Sequence, residues 1–91
     1  MDIDSVFRAL SDPSRRAMLL LLRSARLSSG EIAAQFDSTW PTISRHLAIL
    51  REARLVNAER DGNSIFYSLN ATAVEETARH MLTWLDPADL K

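Results

Sequence analysis

The stretch TWPTISRHLAILRE, residues 39–52, decides how the rest of the chain is read. Thr39 can cap a helix, and Pro41 suits its first turn, where a missing N–H costs nothing because those donors have no intrahelical partner. At 3.6 residues per turn Ile43, Leu47 and Leu50 share one side, while Pro41, Arg45, Ala48 and Glu52 share the other, flanked by Thr42 and Ser44. The first side is a core face. The second carries short hydroxyls, one arginine and a proline ring where an ordinary solvated face carries long lysines and glutamates, and that contour suits a groove.

Upstream, LSSGEIAAQ opens with a capping box: Ser28 is followed by Glu31, which can reach back to the cap N–H, and Leu27 and Ile32 hold the positions of a hydrophobic staple. A short helix over 29–35 and a turn at Phe36-Asp37-Ser38, with Ala33 and Ala34 allowing close packing, make residues 28–52 a helix-turn-helix. Before it, residues 2–10 read as a short helix capped by Asp2 or Asp4, with Val6, Phe7 and Leu10 on its apolar side. Ser11-Asp12-Pro13 starts a second helix over 14–23. Its run Met18 to Leu22 is apolar on most of its circumference and predicts a central position, with Arg15, Arg16 and Arg23 as its polar surface.

Downstream the period changes. The segment 56–60 alternates loosely and SIFYSL, 64–69, is rich in β-formers. Asp61-Gly62-Asn63 lies between them, and Gly62 can take the positive φ that a tight hairpin needs. A hairpin directly after such a helix is a wing. Asn70 or Thr72 then caps a last helix to about Leu85, in which Val74, Ala78, Met81 and Leu85 recur at spacings of 4, 3 and 4 before Asp86-Pro87 stops it. The predicted class is mainly α with a β-hairpin wing, order ααααββα, in one domain over residues 1–91.

Composition bounds the function. A chain of 91 residues, 46% apolar and 25% charged, is one globular domain near the lower limit for a single core, so oligomerisation would help it. No apolar run approaches the ~20 residues that cross a bilayer, and the acidic start MDIDSVFRAL is unlike a signal peptide, so membrane insertion is not expected and the default location is the cytoplasm. The absence of cysteine removes disulfides, thiolate nucleophiles and sulfur-based metal sites. With no Gly-rich phosphate loop and only His46 and His80 titrating near neutrality, on different helices, an enzyme is not expected. The net charge is −1, yet Arg45, Arg51, Arg54 and Arg60 cluster against Glu52 and Glu59, while the tail sets Glu75, Glu76, Asp86 and Asp89 against Arg79 and Lys91. A local basic face is compatible with that total.

The candidate DNA contacts are Trp40, Pro41, Thr42, Ser44, Arg45, His46, Arg60, Asn63, Ser64 and Tyr67. Thr42 and Ser44 stand where the helix N-terminus would meet phosphates and base edges. Arg45 points away from the core with the fork to bind guanine or phosphate. His46 lies nearer the core, so it either packs against the helix edge or bonds a phosphate. Trp40 either enters the groove or covers the turn at Phe36. Arg60, Asn63 and Ser64 sit at the hairpin tip, whereas Tyr67 is either core or a single phosphate contact.

The segments LSDPSRR (10–16), EIAAQF (31–36), TWPTISRHLAILREARLV (39–56) and GNSIFYSL (62–69) together resemble the ArsR/SmtB family of bacterial winged-helix repressors, over nearly the whole chain. The Pro-Thr-Ile-Ser-Arg-His-Leu run and the lack of cysteine are most similar to its SdpR-type autorepressor subgroup. The resemblance implies a homodimer joined through the first and last helices, here Val6, Phe7, Leu10, Val74, Ala78, Met81, Trp84 and Leu85, that represses from a palindromic operator on double-stranded DNA, its own promoter included. Many family members release DNA on binding metal. Their thiolate motif in the third helix corresponds here to LSSGEI, without sulfur, and their zinc site in the last helix corresponds to Ala71, Ala73, Trp84 and Pro87, or one residue earlier to Asn70, Thr72, Thr83 and Asp86. Neither register builds a site; Glu76 and His80 at i, i+4 are an ordinary exposed pair, so no metal or other cofactor is expected. Any induction is expected from a regulatory protein partner, sequestration or another small signal. The competing reading is a protein-interaction module anchored by Trp40 and Trp84.

Overall fold

The computed structural model describes residues 2–85 and Ala88. The Asp86-Pro87 stop and the tail charges Asp86, Asp89 and Lys91 lie outside the described residues. Among the described residues, five helices and three strands follow in the order α1 (Ile3–Leu10), α2 (Pro13–Leu22), β1 (Leu27–Ser28), α3 (Ser29–Ala33), α4 (Trp40–Glu52), β2 (Val56–Asp61), β3 (Ser64–Leu69) and α5 (Ala71–Leu82). This is a winged helix-turn-helix.

Side chains start most helices. Asp2 accepts from the amides of Asp4 and Ser5, and Asp12 from Ser14 at 2.8 Å and Arg15 at 3.2 Å, so α2 begins at Pro13, one residue before the expected start. Ser28 and Glu31 form the capping box at 3.1 and 2.9 Å. Thr39 departs from expectation: it is the N-cap of α4 by backbone position only, and its hydroxyl lies 3.1 Å from that of Thr42 instead of capping an amide.

The end of α4, unlike its start, is closed by specific hydrogen bonds. Leu55 N–H donates to Leu50 O and Arg54 N–H to Arg51 O, the paired bonds of a Schellman ending, with Arg54 in the left-handed conformation at φ 62°. Asn70, the N-cap of α5, is tied to that ending: its side-chain amide donates to Arg54 O at 2.8 Å and its N–H to Leu55 O at 2.9 Å.

The core is a contiguous cluster around Met18, Ile32, Ile43, Leu47, Leu50 and Leu55, each 0 or 1% exposed. At about 1.5–3 kcal/mol per fully buried aliphatic side chain, the three α4 residues are its largest single-helix contribution. Val6, expected at the dimer contact, is 1% exposed and belongs to this core instead. The run Met18 to Leu22 is less enclosed than expected: Met18 and Leu22 are buried, but Leu20 is 61% exposed. The wing is three-stranded, not two: β3 pairs with β2 through the two-residue turn at Gly62 (φ 64°) and Asn63, and with β1 through Leu27↔Tyr67 and Ser28↔Phe66. Leu27, expected only as half of a hydrophobic staple, thus supplies part of a strand. Arg26 lies over the Phe66 ring, 4.1 Å from its centroid, and clasps that edge.

Helix α5 stops at Leu82, short of the expected Leu85, and its last residues turn through Thr83 to Leu85. Only Thr77 on it is buried. The Cα radius of gyration, 14.5 Å, exceeds the ~12 Å of a compact domain of this length, as expected where a helix stands off the core.

Candidate nucleic-acid interface

The outward face of α4 is free. Trp40, Pro41, Thr42, Ser44, Arg45 and Ala48 are all exposed, while Ile43, Leu47 and Leu50 hold the opposite face in the core. Because Thr39 caps no amide, the Thr42 N–H stays open to an external acceptor at the positive end of the helix. Trp40 leaves 52% of its surface in solvent beside those groups, so covering the turn at Phe36 accounts for less than half of it.

The wing brings a second set of donors. Arg60, Asn63 and Ser64 are exposed at its tip. Arg60 pairs with Ile65 and, two residues along each strand, Ala58 pairs with Tyr67, so Arg60 shares the face of the sheet that packs on the core and overhangs it at the tip. Asp61 opposes Ser64 at the same tip and offsets part of that charge.

Two expected DNA contacts are placed elsewhere. Tyr67 is 9% exposed and packs in the core, because its register opposite Leu27 and Ala58 puts it at the centre of the three-stranded sheet. His46 has 13% of its side chain exposed; its Nδ1 lies 3.1 Å from an Arg15 guanidinium nitrogen, and its Nε2 lies 4.0 Å from Asp12. It packs against the helix edge, the inward of its two readings.

Arg15 is the residue near this face that sequence reasoning places wrongly. Expected on the polar surface of α2, it is 8% exposed. It donates through Nε to Ala9 O at 2.8 Å and through a terminal nitrogen to Arg8 O at 2.8 Å and Ser11 Oγ at 3.4 Å. A guanidinium has no acceptor, so His46 Nδ1 accepts and the ring proton sits on Nε2, toward Asp12. The signal is present in the spacing: Arg15, Met18 and Leu22 follow i, i+3, i+7 on one helix face. Partial burial pushes the Asp12 carboxyl up, but the Arg15 and Ser14 amides with the nearby His46 and Arg15 outweigh it and hold Asp12 below the ordinary carboxylate range.

A second free surface is apolar. Phe7, Val74, Met81, Trp84 and Leu85 are 39, 39, 42, 58 and 45% exposed, Ala78 is exposed and Leu10 is half-buried. Phe7 and Trp84 touch, with ring centroids 5.8 Å apart, which joins α1 to the end of α5 in one strip. A groove of about 540 Å³ between α2 and α5 continues it, lined by Leu19, Leu20, Val74, Ala78 and Met81 among others. His80 packs edge-on to Trp84 at 5.9 Å, and Glu76 is exposed on the same helix.

Comparison with known proteins agrees with this geometry. The family described as "Bacterial regulatory protein, arsR family" matches residues 12–58, from the cap of α2 into β2. The chain is 39% identical to the transcriptional repressor SdpR of Bacillus subtilis, over 96% of this chain and 97% of that protein. It is 44% identical over 71 residues to the HTH-type transcriptional regulator KmtR of Mycobacterium tuberculosis, covering 78% of this chain and 55% of that one. The solved structure of an ArsR-like transcriptional regulator from Rhodococcus sp. RHA1 superposes with a TM-score of 0.80 at 31% identity, over 88% of this chain and 76% of that chain. With its outward-facing second helix, its wing and these relatives, the chain belongs to the arsR family of winged-helix DNA-binding transcriptional regulators.

Proposed function

We propose that this regulator acts as a cytoplasmic homodimer on a palindromic operator, with its own promoter the first place to look, and that it is a repressor rather than a catalyst. The observation that carries the reading is the outward face of α4, where Thr42, Ser44 and Arg45 are exposed beside a helix N-terminus that no side chain caps. Direct readout in a major groove needs such a face, and Arg45 is its one long fork. Arg60, Asn63 and Ser64 at the wing tip add backbone contacts that position the protein without specifying sequence.

Dimerisation is supported by the apolar strip of Phe7, Val74, Ala78, Met81, Trp84 and Leu85, which a single chain leaves in water. A twofold pairing through it presents two α4 helices to two half-sites. None of the described helices is long and apolar enough to cross a membrane. A second reading, a protein-interaction module, is favoured by the exposure of Trp40 and Trp84.

Selection of binding sites from random duplex by purified protein, followed by titration over a salt series, tests the proposal. The expected result is an inverted repeat bound with a steep salt dependence. Failure to bind any duplex at low salt would favour the interaction module.

A further inference from the structure

The face of α4 that reads DNA is useful only if α4 is held at one angle, and most of what holds it is undirected. Ile43, Leu47 and Leu50 attach it by apolar contact, which is indifferent to small rotations. Among the described residues, His46 is the only α4 side chain hydrogen-bonded to another helix. Its partner, Arg15, is buried and simultaneously bonds the carbonyls of Arg8 and Ala9 in the last turn of α1, where a cation also suits the negative helix end. One guanidinium therefore joins the end of α1 to the middle of α4 with fixed fork geometry.

We propose that Arg15 and His46 are positioning residues for DNA recognition, setting the angle between α1 and α4 and so the placement of the two recognition helices in the dimer. The role rests on the DNA-binding reading above. It explains why a histidine adjoining Arg45 faces inward: the ring touches no DNA and acts through the orientation of its neighbours. Asp12 faces the other side of the ring, 4.0 Å from Nε2 and beyond hydrogen-bond distance.

The test compares full-length wild type with His46→Leu and His46→Asn on operator and on scrambled duplex, together with thermal melting. Leucine keeps the bulk but leaves an Arg15 N–H without an acceptor, whereas asparagine carries an oxygen near the position of Nδ1. A positioning role lowers the operator-to-scrambled affinity ratio of His46→Leu about tenfold, the scale of one good base contact, and His46→Asn restores most of it. A merely structural role lowers the folded fraction, which reduces binding to both duplexes alike and leaves the ratio unchanged. An unchanged ratio in His46→Leu, or an equal drop in both variants, overturns the proposal. Should His46→Leu melt below the assay temperature, Arg15→Lys carries the same test, because an ammonium lacks the fork that reaches both the α1 carbonyls and His46. If wild type binds no duplex at low salt, the DNA reading fails and takes this proposal with it; a wild type that binds while the variants keep its ratio sinks the positioning role alone.

Discussion

Arg54 holds φ at 62° where the Schellman ending of α4 usually employs glycine. For a residue with a Cβ that conformation costs about 1–2 kcal/mol. Arg54→Gly is therefore expected to stabilise the protein by up to about 1 kcal/mol in urea unfolding, the gain being reduced by the greater entropy of glycine in the unfolded chain. A loss of stability would mean that the exposed arginine makes a contribution larger than its backbone strain. At this scale the sequence is legible where one helix face decides a residue's fate. Ile43, Leu47 and Leu50 lie in the core and Thr42, Ser44 and Arg45 in solvent, as wheel position predicts. It misleads where chemical type outweighs position: the charge of Arg15 predicts the surface, although its spacing from Met18 and Leu22 is that of a buried face. Tyr67 leaves both readings open because its burial depends on its partner across β1, a strand of two residues with no alternation to detect.

Helices α1, α2 and α3 depend on carboxylates at their starts, and this sets their response to acid. The hydroxyl and amide of Ser5 lower the Asp2 carboxyl, and the amide of Ser28 lowers that of Glu31, while Asp12 is lowered against the opposing effect of its burial. A carboxyl lowered on folding contributes stability that is complete above its unfolded value and is lost as pH falls through the folded value. The protein is thus expected to lose stability progressively below about pH 4, around and under the ordinary carboxylate range. Asp12→Asn keeps a good capping residue but removes one titrating group. Thermal melts from pH 7 to pH 2 should show a shallower acid limb for this variant; an identical limb would place the acid response outside the helix caps. The order of helices and hairpin, the capping box and the wing turn are readable because each is a local rule, and Asn70 is one of the two caps that the same rule offers for α5. The length of α5 and the third strand are not, since both depend on contacts with distant segments.

At the scale of the whole molecule, one chain leaves Phe7, Met81 and Trp84 exposed and α5 standing off the core. Sedimentation at micromolar concentration should give about twice the 10.2 kDa of a single chain. Met81→Glu, which places a charge in the α2–α5 groove, should shift the protein to monomer and weaken operator binding by more than tenfold, because both half-sites must be engaged together. A monomeric wild type that still binds a full inverted repeat would contradict the dimer. The molecule's formal charge of −1 is no obstacle to DNA binding, because Arg45 and Arg60 lie on α4 and the wing, on different elements from the acidic residues of α5, and local potential governs contact. The two arginines are expected to differ in role. Arg60→Ala should weaken operator and scrambled duplex alike and reduce the salt slope by about one for each phosphate that Arg60 neutralises. The most direct test of the account is the operator affinity of Arg45→Ala measured beside that of wild type over the same salt series. A loss of about 1–3 kcal/mol per half-site, with relaxed preference at one base position, is the predicted result; unchanged operator affinity would mean that the outward face of α4 does not lie in the major groove, and would contradict it.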